Sequence, residues 1–195
     1  MNLEQIEQME TAYKRIIEGI IKEFEHVLVE FSITDLELLF FDNIKYRVYY
    51  NKDLPVDVFD LRCKIVDDNG KAKIEKAELA VMTDKIKEYI KHNEGLSIKL
   101  RAKFMFVLRF EVGHYLFFKE FEEEEAPFSV FSEAMDNYEY DLAEFNELCR
   151  VSDFSTRERI TKYCDIDFNA WSAEKVGLSA ETLIEFDNNI TIPPK

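Results

Sequence analysis

A chain of 195 residues, 47% apolar and 33% charged, has the size and make-up of one globular domain, and 17 Phe with 9 Tyr exclude a disordered polymer. A net charge of −15 repels a phosphate backbone, which excludes conventional DNA or RNA binding and leaves proteins with basic surfaces as the expected partners. Three scattered cysteines (Cys63, Cys149 and Cys164), a polar start lacking the basic-then-apolar order of a signal peptide, and apolar runs too short for a bilayer set the expectation of a cytoplasmic chain with reduced thiols and no membrane contact.

Taken in chain order, residues 3–31 predict one amphipathic helix. Leu3, Ile6, Met9, Tyr13, Ile16, Ile17, Ile20, Phe24, Leu28 and Phe31 recur at three- and four-residue steps. Residues 33–82 change character: β-branched and aromatic residues predict two to four strands, mostly antiparallel, with Asp68-Asn69-Gly70 as a hairpin turn. A helix is expected from Thr83, whose hydroxyl can cap it, to the breaker Asn93-Glu94-Gly95. Residues 97–121 are apolar on most of a helical circumference, as in a central buried helix, and Ala126-Pro127 closes that element.

Three further helices are expected. The first starts at Ser129 or Ser132 and runs to about Arg150. The second lies over SDFSTRERITKYC, with Ser155 and Glu158 spaced as a capping box, and the last over SAEKVGLSAETLIEF. The result is a single α+β domain over 1–195: an N-terminal helix (1–31), a β-rich part (33–82) and a helical part (83–188).

Charge is uneven along the helical part. Lys99 to Arg109 holds four basic residues and no acidic one, whereas Glu111 to Glu147 holds twelve acidic residues against Lys119 alone. The run Glu122, Glu123, Glu124, Glu125 falls at a helix C-terminus, where negative charge is mildly unfavourable. It reads either as a solvated helix end or as a partner-binding surface.

The stretch that carries chemistry is Phe110-Glu111-Val112-Gly113-His114. A zinc peptidase requires H-E-x-x-H on a helix: histidines four apart grip one metal, and the Glu takes a proton from metal-bound water. Glu111 and His114 match; the first histidine is replaced by Phe110. The wider segment, Phe106 to Phe118, resembles the active-site helix of ImmA/IrrE-type zinc metallopeptidases, members of the zincins. The downstream stretch Glu139-Tyr-Asp-Leu-Ala-Glu-Phe-Asn-Glu-Leu is similar to the helix that supplies that family's third ligand.

The resemblance covers about residues 100–148 and implies Glu111 as catalytic base, with His114 and Glu139 as metal ligands. The site is degenerate, so the cofactor is none or zinc. The expected function is that of a pseudo-metallopeptidase, a non-catalytic acidic regulator that binds another protein. By resemblance it belongs to the cytoplasm of a cell hosting a phage or mobile element. The alternative is an active peptidase cleaving a regulatory protein, in which Glu133, Asp136 or Asp141 completes the ligand set. His114 also reads as a plain buried histidine beside Gly113, where another helix packs closely.

A different metal reading comes from Glu23-Phe-Glu-His26 and Glu111-Val-Gly-His114, since Glu-x-x-His on two helices is the ligand pattern of di-iron carboxylate bundles. His26 and His92 otherwise read as surface residues.

Overall fold

The computed structural model describes residues 3–50, 57–123, 128 and 168–178. It has the expected α+β character, with a long helix, a three-stranded sheet and further helices. Helix α1 (Leu3–Glu30) buries Ile16, Ile20, Phe24 and Val27, a stripe at four-, four- and three-residue steps. It stops where Ser32 takes φ 55° and the Ile33 N–H donates back to the Leu28 carbonyl at 2.9 Å.

The β-rich part holds three strands and one helix that its composition does not announce. Strands β1 (Leu36–Phe41), β2 (Phe59–Asp68) and β3 (Lys71–Met82) lie in the order β1-β3-β2. β2 and β3 form the expected antiparallel hairpin, whereas β1 runs parallel to β3, so the sheet is mixed. Asn69 at φ 56° and Gly70 at φ 86° make the two-residue turn, tightened by the Gly70 N–H donating to the Asp67 carboxylate at 2.6 Å. A register shift opposite Lys64/Ile65 leaves Glu75 as an extra residue on β3. Below it Ala72 and Ile74 face the core; above it Ala77, Leu79 and Val81 do, so the bulge keeps one apolar face on both sides of the break.

Residues 43–50 correct the strand expectation for that segment. They form helix α2 (Asn43–Tyr50) despite their Ile, Val and Tyr content. The Asp42 side chain accepts from the Lys45 N–H at 2.7 Å, an N-cap bond that starts the helix. Tyr46 is buried against Ala80 and Met82 on the sheet's second face.

Helix α3 (Thr83–His92) begins at the expected residue by a different device. The Thr83 hydroxyl does not cap it; it donates to the Phe41 carbonyl at 3.1 Å and ties α3 to the end of β1. Helix α4 (Ser97–Glu123) is the central element. Leu100, Phe104, Leu108, Val112, Tyr115 and Phe118 bury one stripe, and Phe106, Phe110, Gly113 and Phe117 mark a second.

The last described helix, α5 (Phe168–Lys175), starts before the expected SAEKVGLSAETLIEF segment and ends inside it. Gly177, at φ 70°, stops it: the Leu178 N–H bonds Ala173 O at 2.8 Å and the Gly177 N–H bonds Glu174 O at 3.0 Å, a Schellman closure. The expected helices over 129–150 and SDFSTRERITKYC lie outside the described residues, as do Pro55 and Ala126-Pro127. No helix among the described residues is long and apolar enough to cross a membrane.

Candidate functional site

The helical period of α4 sets the geometry of the motif. Residues 110 and 114 are one turn apart, and 111 and 114 are three apart, so both pairs meet on the helix surface. Phe110 and His114 stack edge to face, with ring centroids 4.4 Å apart at 65°. His114 Nδ1 lies 3.4 Å from Glu111 Oε2, a long hydrogen bond in which the imidazole N–H donates to the carboxylate. The motif is deeply enclosed: Glu111 is 3% and His114 1% exposed, and Phe110 is buried.

Gly113 explains part of that enclosure. A Cβ there would fall 2.9 Å from the carbonyl carbon and 3.1 Å from the Cβ of Ser172, and closer still to the Ser172 oxygen. Only a residue without a side chain lets the α5 backbone sit this near α4. The Ser172 hydroxyl, fully buried at this crossing, has no hydrogen-bond partner among the described residues.

These donors do not by themselves make a zinc centre. Catalytic zinc takes three protein ligands and an open position. The described part of the motif offers His114 and a carboxylate bonded to it, with a phenyl ring where the next imidazole would stand. Among the described residues no three His, Cys, Asp or Glu side chains are placed to share a metal ion. The expected ligand Glu139, and Glu133, Asp136 and Asp141, lie outside the described residues.

The di-iron arrangement needs both histidines to face one interior. His26 instead sits on the solvent side of α1, 4.0 Å from Glu30, and Glu23 pairs with Arg109. His92 is exposed, its Nδ1 3.1 Å from the Glu88 carbonyl.

The acidic run divides. Glu122 turns inward, accepting from the Ile74 N–H at 3.0 Å and from Lys119 Nζ at 2.5 Å. Glu123 is exposed, and Glu124 and Glu125 lie outside the described residues. Glu122 belongs to a brace that sequence inspection misses. Lys119 Nζ also donates to Asp35 at 2.7 Å, and the Tyr115 hydroxyl donates to the other Asp35 oxygen. Desolvation opposes ionisation of Asp35, but the bonds from Lys119 and Tyr115 and the lysine charge together hold its carboxyl below the ordinary range. Burial and the bond to Asp35 push the Tyr115 phenol upward. The Cys63 thiol is pushed up to about 12 by burial, with the Asp35 charge adding, which makes it a poor nucleophile. The available signal was Lys119, the lone cation in an acidic stretch and three residues before Glu122.

A second polar group lies where β2 meets α3 and α4. Desolvation pushes the Asp57 carboxyl upward, against the charge of Lys103 and a 3.4 Å bond from the Tyr89 hydroxyl. The nearly buried Lys103 ammonium stands 5.9 Å from the Tyr89 ring centroid.

Comparison with protein-family models, with curated proteins and with solved structures finds no match to this chain.

Proposed function

We propose that this protein is a non-catalytic regulator, a zincin-like pseudo-metallopeptidase that works by binding a basic protein. The observation that carries the reading is the Phe110 ring packed against His114 at the position where a zinc peptidase needs its first imidazole. A phenyl ring has no lone pair to give a metal and fills the space the metal would use. Glu111, the residue a peptidase would use as base, is buried and bonded to His114. A general base must instead reach the proton it removes.

The contact role is supported by the net charge of −15 and by an acidic helix end that the helix dipole does not favour. Glu122 is occupied in bracing β3, and Glu123, exposed next to it, is the described residue of that run open to a partner. By its resemblance to the ImmA/IrrE peptidases, the regulator works in the cytoplasm of a cell carrying a phage or mobile element.

Phe110→His tests the reading. Titration against a chromophoric zinc chelator is expected to show no competition by the native chain and a gain of zinc affinity in the variant. Tight zinc binding by the native chain, with Glu111→Gln abolishing cleavage of a partner, would establish the peptidase instead. A folded Phe110→His variant that takes up no zinc would remove the zincin kinship.

A further inference from the structure

An acidic surface alone holds a partner weakly, because exposed ion pairs contribute roughly 0.2–1 kcal/mol each and are screened by salt. Stable docking adds apolar burial at its centre. One cleft joins the two. It opens between the first three turns of α1 and the turn linking α3 to α4, with a volume of about 470 Å³. That lies within the range of ligand-holding pockets, roughly 300–1,000 Å³. Met9 and Ala12 from α1 and the buried Ile90 of α3 give it an apolar floor.

The carboxylates stand on both walls. Glu4 and Glu7, three apart on α1, line one side, and Glu94 lines the other. All three are exposed. Folding uses other acids: Glu23 and Glu30 bind Arg109, and Glu122 binds Lys119. Among the described residues no basic side chain forms an ion pair with Glu4, Glu7 or Glu94. Arg15 lines the same cleft eleven residues along α1 from Glu4, roughly 16 Å at 1.5 Å per residue. The cleft therefore offers an occupant three carboxylates and one guanidinium around its apolar floor.

We infer that this cleft docks a short basic segment of a partner protein, with an apolar side chain on Met9, Ala12 and Ile90 and lysine or arginine side chains on the Glu4, Glu7 and Glu94 carboxylates along its walls. The inference rests on the contact role proposed above and locates its anchor. The distance from Glu4 to Arg15 accommodates about five extended residues at roughly 3.3 Å each. The cleft sits at the N-terminal end of α4, some 33 Å along that helix from Glu122 by the same rise per residue. Glu122 and Glu123 thus lie on a separate surface.

The test is fluorescence anisotropy of a labelled peptide of alternating arginine and leucine with the full chain, at about 0.15 M salt, where the Debye length is near 8 Å. Glu4→Gln, Glu7→Gln and Glu94→Gln combined should weaken binding about tenfold, as three lost exposed contacts would. The charge-matched set Glu18→Gln, Glu25→Gln and Glu37→Gln, away from the cleft, should change it by less than about twofold on the same scale. A peptide with glycine in place of leucine should bind more weakly.

Equal weakening by the two sets would overturn the cleft and leave the charge-driven contact role standing. No binding by the native chain, even at low salt, would overturn both. Equal binding of the glycine peptide, or equally tight binding of spermine, would overturn an apolar-anchored protein segment as the occupant.

Discussion

The motif in the middle of α4 and the cleft at its beginning divide between them what a working site needs. The motif has the chemistry: a carboxylate and an imidazole at helical spacing, 3.4 Å apart. It lacks access, because α5 crosses at Gly113 and the Phe110 ring fills one side. The cleft has access, about 470 Å³ of it, and carries charge and apolar surface but neither histidine nor cysteine. Buried polar groups that bond each other act on stability; exposed carboxylates that no basic side chain among the described residues neutralises can act on something else.

The comparison breaks most readily at Gly113. Gly113→Ala sets a methyl group against the Ser172 backbone, and overpacking of that kind should lower stability by about 3 kcal/mol, seen as a fall in the urea midpoint. A loss below about 0.5 kcal/mol, the scale of an ordinary surface change, would mean that α5 does not seal the motif.

His114→Leu comes next. It strands the Glu111 carboxylate in the core and should cost about 2 kcal/mol. A stabilising effect would point to a residue kept for activity at the expense of the fold.

Asp35→Asn should cost about 1 kcal/mol near neutral pH, a value kept small because the carboxylate is partly solvated. The folded carboxyl titrates below its ordinary value of 3.8, so its contribution is complete above that pH and is lost as pH falls through the lower folded value. The gap between native and variant midpoints should close in acid; a gap that widens there would refute the brace. The smallest effect is expected at the cleft, where the Glu4, Glu7 and Glu94 triple variant should leave the urea midpoint unchanged while altering peptide binding.

Much of this was legible in the residues, for identifiable reasons. The period of α1, the Asp68-Asn69-Gly70 turn and the continuous burial of α4 are local patterns, and local patterns set local structure. Helix α2 was not legible, because Ile44, Val48 and the tyrosines favour strands. An Asp42 cap and a place for Tyr46 on Ala80 and Met82 outweigh that preference. The parallel pairing of β1 depends on where the chain re-enters the sheet, which no window of sequence records.

The motif's residues were visible, and so was a close helix crossing at Gly113; that α5 supplies it was not. Glu122 shows the limit most clearly. In the sequence it is one of four equal glutamates, and in space it alone is shown to reach Lys119 and the Ile74 amide.

The central claim, that the motif does not work as a zinc site, is tested most directly by counting the metal that the protein carries when purified without chelator, by plasma mass spectrometry against protein concentration. The account predicts far less than one zinc per chain. About one zinc per chain, removed by chelation and restored on adding the metal back, would contradict it.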